Sequence, residues 1–479
     1  MALRYFLLLL LAAVPNVLAE GLPDLGEASQ ASFSALEERR LGDEIMREVR
    51  ADRNYYDDAE ATDYVAALGN RLVLRGSDSR QELQFFLMQD RQINAFALPG
   101  GFVGINSGLI LAAQSESEVA GVMAHEIAHV TQRHIARIID QQKNSMVMSL
   151  AALAVAVLAA RSNSDISNAA IAIGQGAAVQ NLLNFTRDHE READRVGLQI
   201  LEQAGFDPQS MATFFERLQR ATRVYDGGAP SYLRTHPLTH ERIADIQNRL
   251  DRLPYRQVPD SVDFQLVRAK LRAGLETPVE ARRFFEESLA ERRFLSEVAS
   301  RYGLATSLVR LKDHAGAKKE YDTLRRTAPA HAMIETLGCR IRQAAGETEA
   351  AIGCYRDAMR SYPQHRALTY DYAELLLQAR RPEPALGVIG SRMHNFTEDP
   401  KLYLLQARAY ALQGKRLAQH RSTGEAYARM GNVRGAVEQM QIALKSGDGD
   451  FYQLSATEAR LRELRKIDEA QRKEKGERR

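Results

Sequence analysis

The first regular hydrophobic pattern covers residues 33–90, where charged and apolar positions recur at helical spacing. A short apolar run at residues 82–88, within this stretch, has the composition of a strand. Two more apolar runs, residues 93–98 and 102–105, flank the turn Pro99-Gly100-Gly101. We therefore expect helices followed by a small sheet that contains a β-hairpin.

Two later helices carry start and stop signals. Ser115 and Glu118 have capping-box spacing, and apolar residues then recur at helical period, which predicts one helix from residue 115 to about residue 140. Another helix should run from about residue 183 to Ala204, because Gly205 suits the position that follows a helix end.

Two strongly apolar segments lie between these helices, at residues 146–160 and 169–183. The first is short for a membrane span, and the second contains Gln175, Gln180 and Asn181. The pattern favours a buried or interface-lying helical hairpin. A transmembrane hairpin, and with it an integral membrane protein, is the alternative.

After Leu253-Pro254 the pattern becomes all helical, rich in Ala, Leu and Arg, and repetitive. Small, aromatic and helix-ending residues recur every 34 or 33 positions, at Ala317, Ala351, Ala385 and Ala418, at Tyr321 and Tyr355, and at Pro329 and Pro363. This period resembles tetratricopeptide repeats, whose helix pairs stack into a solenoid with a concave binding face. The chain has no Trp, a hallmark of these repeats, so a helical bundle with accidental spacing is the alternative.

The N-terminus has the pattern of a cleaved secretory signal. Arg4 precedes an apolar run at residues 5–14, and Val17-Leu18-Ala19 fits a cleavage site. The mature chain should then begin near Glu20, and an uncleaved anchor is the alternative.

Composition narrows the function classes. The 479 residues include 64 basic and 62 acidic side chains, a net charge of +2, which argues against nucleic acid as the main partner. The two cysteines, Cys339 and Cys354, could form a disulfide in an oxidising compartment. Two buried thiols on neighbouring helices are the alternative.

The sequence His125-Glu126-Ile127-Ala128-His129 matches the H-E-x-x-H pattern. Residues four apart share one helix face, so both imidazoles can reach one metal ion. Zinc binds neutral imidazole well and, in a catalytic site, keeps a position open for water. Glu126 would lie beside that water and accept its proton. His134 lies off this face and is expected to be structural or at the surface.

A third ligand is expected within residues 187–194. Glu190 and Asp194 also share a helix face, so one can bind the metal while the other hydrogen-bonds a ligand histidine. His189 is a competing ligand, although its spacing turns it elsewhere, and Glu192 should point away. We expect one zinc ion per chain, an argument from ligand type alone.

These motifs resemble the M48 metallopeptidases. H-E-x-x-H is followed about sixty residues later by Glu190-x-x-Ala193-Asp194, and residues 94–101 and 107–109 also look like segments of that family. With a signal sequence and C-terminal repeats, the layout is similar to the BepA-type periplasmic proteases of Gram-negative bacteria.

The resemblance implies a role for each matching residue. The implied zinc ligands are His125, His129 and Glu190. Glu126 would be the general base, and Asp194 would support a ligand from behind. The implied substrate-binding edge, which would pair with an extended backbone, contains Asn94, Ala95 and Phe96.

The segment Thr235-His236-Pro237-Leu238 matches one in which BepA-type proteins can place a histidine on the zinc and keep the enzyme latent. His236 would then be a fourth ligand that displaces the catalytic water. A histidine that caps the next helix, or one that stabilises the transition state, is the alternative. His240 is expected at the surface, and Arg242 is a candidate stabiliser of a tetrahedral oxyanion.

The predicted fold is predominantly α (α+β). A signal peptide, residues 1–19, should precede a zincin-like helical metalloprotease domain with a small β-sheet, residues 20–255. An α-solenoid of tetratricopeptide-like repeats, residues 256–479, should follow.

The leading interpretation is a periplasmic zinc endopeptidase that degrades misfolded or misassembled outer-membrane and envelope proteins. The resemblance implies a chaperone-like role in outer-membrane protein assembly, with the repeats binding substrate or docking on the outer-membrane β-barrel assembly complex. Peripheral contact with a membrane is compatible with this picture. The alternative is a chaperone or scaffold whose proteolysis is latent or incidental.

Overall fold

The computed structural model describes residues 33–76, 82–141, 187–222, 231–254 and 256–477 of the chain. The expected signal peptide at residues 1–19 and both apolar segments between residues 146 and 183 lie outside the described residues. Among the helices that are described, none combines the length and the apolar character needed to cross a membrane.

A three-stranded sheet lies among the helices of the first half, and its strands are β1 (Gln84–Met88), β2 (Ala95–Leu98) and β3 (Phe102–Asn106). Their order is β1-β3-β2, with β3 fully buried in the centre. β2 and β3 form the expected antiparallel hairpin, and Gly100 and Gly101 provide the positive φ angles of its turn. β1 pairs with β3 in parallel.

The helices of the first half surround this sheet. They are α1 (Ala35–Ala51), α2 (Ala59–Gly76), α3 (Ser107–Ala112), α4 (Glu116–Thr131), α5 (His134–Gln141), α6 (Arg187–Gln203), α7 (Gln209–Thr222), α8 (Ser231–Thr235) and α9 (His240–Leu250). Ser115 caps α4 as expected, since its side chain accepts a hydrogen bond from the Glu118 amide. The prediction of one helix up to residue 140 is wrong, because Arg133 has a φ of 52° and separates α4 from α5.

The second half consists of consecutive helices that pack against one another. They are α10 (Val262–Leu275), α11 (Pro278–Ala290), α12 (Glu297–Arg310), α13 (His314–Thr327), α14 (Ala332–Ala344), α15 (Thr348–Ser361), α16 (Arg366–Gln378), α17 (Pro382–Met393), α18 (Pro400–Leu412), α19 (Arg416–Arg429), α20 (Val433–Leu444) and α21 (Phe451–Glu477). The predominantly α fold with a small sheet is confirmed.

The repeated positions of the sequence lie where helices of the second half meet. Ala317, Ala351 and Tyr355 are fully buried, and Tyr321 is nearly so. The Tyr321 ring lies against Gly338, where an added Cβ would approach it to 2.3 Å, so a small residue permits this close crossing of α13 and α14. A disulfide between Cys339 and Cys354 joins α14 to α15.

The two halves share packing across residue 255, where we predict a domain boundary. One core cluster runs from Ala61 in α2 to Ile341 in α14. A second cluster, in the repeats, includes Ala59 from the start of α2. The boundary itself stays a prediction, while the packing shows that α2 contacts both regions.

A group of charged side chains surrounds the buried Glu60 where α2 meets the repeats. We call it the interface cluster, and it consists of Asp58, Glu60, Lys270, Arg340 and His365. The Lys270 ammonium binds both carboxylates and lies 2.6 Å from Asp58 Oδ2. Arg340 Nη1 lies 3.0 Å and His365 Nε2 lies 3.2 Å from the Glu60 carboxylate, which is fully buried. Burial raises the pKa of Glu60, but Arg340 and Lys270 outweigh that effect and hold it well below its usual range.

Candidate metal centre

Helix α4 presents both histidines of the H-E-x-x-H pattern on one face, as their spacing requires. Their Nε2 atoms lie 3.0 Å apart. His125, Glu126 and His129 are all fully buried. Burying three polar side chains costs free energy unless each has a hydrogen-bond, charge or metal partner. Their partners therefore indicate the role of these residues.

Helix α6 brings the predicted third ligand to this face. Glu190 Oε2 lies 3.5 Å from His125 Nε2, and Glu190 Oε1 lies 3.4 Å from His129 Nε2. The two helices can approach closely because Gly197 of α6 faces the His125 backbone, where an added Cβ would lie 3.0 Å from the chain.

The loop after α8 adds a third imidazole. His236 is 1% exposed, and its Nδ1 lies 2.9 Å from Glu190 Oε1 and 3.4 Å from His125 Nε2. Its Nε2 lies 3.5 Å from Glu126 Oε1. The Tyr232 ring stacks on the His236 ring at a centroid distance of 4.7 Å. The cap of the next helix is the Thr239 side chain, so a capping role for His236 does not fit.

The ligand atoms of His125, His129, Glu190 and His236 all lie within 4.8 Å of one another. A tetrahedral zinc ion with bonds of about 2.0–2.1 Å separates its ligand atoms by about 3.3–3.4 Å. The five distances given above between ligand atoms lie between 2.9 and 3.5 Å, so this donor set fits zinc. We call His125, Glu126, His129, Glu190 and His236 the metal centre.

The carboxylates of α6 are held from behind. Asp194 Oδ1 lies 3.0 Å from His125 Nδ1, the nitrogen that faces away from the other ligands. The Arg242 guanidinium donates to both Asp194 oxygens at 2.7 Å, lies 2.7 Å from Glu190 Oε2 and donates to the Pro237 carbonyl. Arg242 is buried and its guanidinium binds the carboxylates of Glu190 and Asp194. The expectation that Arg242 stabilises an oxyanion is therefore wrong.

Burial and charge shift the pKa values of these groups in opposite directions. Burial lowers the pKa of His125, but Asp194 and Glu190 outweigh it and raise the pKa to about 9. Burial lowers the pKa of His129 to about 3, although Glu190 opposes the change. Burial raises the pKa of Glu126, against the opposing effects of His236 and His125.

A second set of contacts behind His129 is missed by the spacing argument. His134 is fully buried, and its Nδ1 lies 2.8 Å from His129 Nδ1. Its Nε2 lies 3.1 Å from Glu192, which also pairs with Arg137. His134 is off the ligand face and structural, as expected, but the turn at Arg133 is what brings it back onto His129. No glycine marks that turn, so the sequence carries no signal for it.

The remaining candidates lie near the metal centre or at the surface. His189 stacks on His134 at a centroid distance of 4.5 Å and is not among the four converging ligands. His240 is exposed, as expected. Strand β2, with Ala95 and Phe96, forms one edge of the sheet and packs against α4, and Asn94 immediately precedes it. Burial raises the pKa of Glu126 and the Ala97 backbone lowers it, so this strand lies close to the site.

Comparisons with known proteins agree with this arrangement. Residues 59–250 match the protein family described as Peptidase family M48. The beta-barrel assembly-enhancing protease of Escherichia coli (strain K12) is 30% identical over 455 residues, which cover 94% of this chain and 92% of that protein. The putative beta-barrel assembly-enhancing protease of Vibrio cholerae is 33% identical, covering 87% of this chain and 86% of that protein. The mitochondrial metalloendopeptidase OMA1 of Schizosaccharomyces pombe is 31% identical, covering 44% and 61%.

Proposed function

Because this chain belongs to peptidase family M48 and is a zinc metalloendopeptidase, we propose that His125, His129 and Glu190 hold its zinc ion and that Glu126 is the general base. The observation that carries this assignment is the convergence of these ligands and His236 within 4.8 Å. Asp194 orients His125 through the 3.0 Å contact to its Nδ1, and Arg242 fixes both carboxylates.

The chemistry follows from where the side chains lie. Bound zinc would supply the Lewis acidity that activates a water molecule and polarises the scissile carbonyl. Glu126 accepts the proton of the attacking water and passes it to the leaving amine. The Glu126 carboxylate lies 3.5 Å from Nε2 of His236, the residue whose Nδ1 stands at the fourth corner of the ligand set, so Glu126 is next to the place of the attacking water.

Strand β2 is the proposed substrate-binding edge, with Asn94, Ala95 and Phe96 at its start. An extended substrate that adds to this edge is recognised through its backbone, which suits a protease that acts on many sequences. Since β2 packs against α4, a peptide on its edge would pass close to Glu126.

We propose that His236 keeps the enzyme latent. Its Nδ1 occupies the fourth corner of the ligand set, and a fourth protein ligand turns an open catalytic site into a closed one. His236 lies on a loop after the five-residue helix α8, so it can leave without disturbing α4 or α6.

The proposed substrates are misfolded or misassembled outer-membrane and envelope proteins, and the proposed location is the periplasm. The names of the relatives, which link those proteins to β-barrel assembly, support this proposal. A signal peptide at residues 1–19 would direct the chain there. The repeats of a domain spanning residues 256–479 would dock on the outer-membrane β-barrel assembly complex or bind substrate, next to a protease domain of residues 20–255.

A second candidate function is a chaperone or scaffold with incidental proteolysis. The extended solenoid and the position of His236 favour it. The two functions predict different results for the Glu126→Gln variant. A chaperone keeps its role in assembly without peptide hydrolysis, whereas a protease loses its biological role.

Cleavage of casein by the purified protein tests the assignment of the base. Glu126→Gln should slow cleavage by roughly 10²–10⁴-fold, because it removes the proton acceptor, and should keep about one zinc ion per chain. Cleavage at the wild-type rate by Glu126→Gln would exclude Glu126 as the base.

The same assay tests latency. His236→Ala should cleave casein faster than the wild type at equal zinc content, because it opens the fourth corner. His240→Ala, on an exposed neighbour, is the matched control. Slower cleavage by His236→Ala would assign His236 to the reaction and sink the latency proposal.

A further inference from the structure

A cavity of about 510 Å³ lies where the end of the solenoid meets the first helix of the described chain. Its walls come from the end of α1, from the turn between α19 and α20, and from α21. We call it the seam cavity. None of its lining residues belongs to the metal centre, to β2 or to the interface cluster.

Four arginines stand among the eleven residues that line the seam cavity, whose surface is otherwise largely apolar. The four arginines that line it are Arg47, Arg50, Arg434 and Arg472, and one acidic residue, Asp468, lies with them. Asp468 pairs with Arg472 at 2.7 Å. Two glutamates outside the lining approach from the arginines' own helices, Glu44 at 3.8 Å from Arg47 and Glu438 at 3.5 Å from Arg434. The Arg434 pair is exposed and the other two are partly accessible to solvent; such surface pairs are weak and leave the guanidinium groups able to bind a further anion.

Two features of the backbone add to this positive field. Helix α20 begins at the cavity, since Asn432, Val433 and Arg434 line it. The Asn432 side chain caps this start by accepting from the Gly435 amide, and the positive end of the helix dipole still favours an anion. Gly431, with a φ of 77°, allows the turn to lie against Arg47, where an added Cβ would be 2.8 Å from the Arg47 Cδ. The turn therefore brings the α20 start and Arg47 to the same cavity.

We propose that the seam cavity binds a phosphate-bearing anion, either a free phosphate ester or a phospholipid headgroup. Arginine forks match phosphate oxygens with paired, charge-assisted hydrogen bonds. The volume lies within the range of small-molecule sites and exceeds what a single small ion needs. A bound phosphate bridges α1 to α20 and α21 and so ties the first described helix to the last repeat.

Calorimetric titration of the full mature chain with glycerol 3-phosphate tests the site, with chloride at matched ionic strength as the reference. The double variant Arg50→Gln/Arg434→Gln should bind at least roughly tenfold more weakly, because it removes two charged donors. Both side chains are exposed, so the fold should survive the change. The matched control is Arg283→Gln, another exposed arginine paired with a glutamate four residues on, which should bind like the wild type.

A variant with the opposite sign sharpens the test. Asp468→Asn removes the carboxylate of the lining and should tighten binding by a few-fold, because the anion no longer competes with it for Arg472. No saturable binding by the wild type, or equal binding by the wild type and the double variant, would overturn the proposal.

Vesicles distinguish the two sources of phosphate. We compare co-sedimentation with phosphatidylcholine vesicles that contain or lack phosphatidylglycerol. Binding that needs phosphatidylglycerol and is lost in the double variant assigns a lipid headgroup, whereas glycerol 3-phosphate binding without vesicle binding assigns a free phosphate ester. Vesicle binding that the double variant retains would show that the seam cavity is not the lipid site.

Discussion

The metal centre and the interface cluster both bury a glutamate almost completely, yet their partners differ. Glu60 faces an ammonium, a guanidinium and an imidazole, which supply the hydrogen bonds and positive charge that a buried carboxylate needs. At the metal centre, nitrogen atoms of three imidazoles point towards one another at 3.0 and 3.4 Å. Two ring nitrogens at such a distance either share a proton or face each other with lone pairs, and one cation among them satisfies all three rings at once.

The kind of partner distinguishes buried charged residues that stabilise the fold from those that act in the reaction. The interface cluster is complete with protein atoms alone, so it serves the contact between α2 and the repeats. The metal centre is completed by a dication, so we assign it to chemistry. Perturbed pKa values occur in both regions, and the nature of the partners, more than the size of a shift, distinguishes them.

The largest effect on stability should come from Glu60→Gln. Removing this carboxylate takes one of two acidic partners from Lys270, which keeps Asp58, and from Arg340, which keeps Asp371. The loss of unfolding free energy should therefore lie between the roughly 1 kcal/mol of an exposed pair and the roughly 3–5 kcal/mol of a broken buried pair. Urea denaturation measures the loss. Glu349→Gln, which breaks an exposed pair with Arg381, is the control and should change stability by less than about 1 kcal/mol. Equal losses in both variants would show that the interface cluster stabilises the fold no more than an exposed pair does.

A smaller effect, confined to the metal centre, should follow Asp194→Asn. The amide supports His125 Nδ1 and Arg242 less well, so zinc affinity should fall by about 10–100-fold. Competition with a chelator measures the affinity. Asp188→Asn, on an exposed residue of the same helix, should leave it unchanged. If both variants bind zinc like the wild type, Asp194 does not support a ligand.

A weaker effect should follow Glu192→Gln, which acts through His134 on His129. Because Glu192 is one contact further from the ligand, zinc affinity should fall by about tenfold or less. The same competition assay applies. If Glu192→Gln lowers zinc affinity more than Asp194→Asn does, the contacts from Glu192 through His134 to His129 support the metal more strongly than we expect.

The smallest effect concerns acid pH. The partners of Glu60 lower its pKa in the folded protein, so its contribution to stability is present above its unfolded pKa and is lost as the pH falls towards the folded value. The stability difference between the wild type and Glu60→Gln should therefore shrink below about pH 4.5, by no more than about 1.4 kcal/mol per pH unit. Urea denaturation across this range checks it, and a difference that grows on acidification would contradict the sign.

Local sequence signals predict a large part of this molecule. The spacing of His125 and His129, the turn at Gly100 and Gly101 and the repeat period at Ala317 and Ala351 each reflect contacts within one element or between neighbours. Their geometry follows from helical and strand periodicity, so the hairpin, the repeating helices and the start of the helix of the metal centre are correctly predicted, whereas the end of that helix is not.

Helical, strand and repeat periods do not predict contacts between segments that are far apart in the sequence. Glu60 and Arg340 are 280 residues apart, and no pattern in either helix indicates that they meet. Arg242 pairs with Asp194 across 48 residues, which the oxyanion hypothesis overlooks. The turn at Arg133 has a positive φ, which few residues other than glycine adopt, and the Arg133 side chain contacts Phe33 and Glu38 about a hundred positions earlier in the chain.

The most direct test of the distinction between the metal centre and the interface cluster compares zinc binding by two variants, Glu190→Gln and Glu60→Gln. We expect Glu190→Gln to remain folded by circular dichroism, to bind zinc with a loss larger than the roughly 100-fold typical of a supporting residue, and to lose casein cleavage. Glu60→Gln should bind zinc and cleave casein like the wild type per folded molecule. If Glu190→Gln keeps wild-type zinc affinity, or if folded Glu60→Gln loses it, the assignment of the two clusters is wrong.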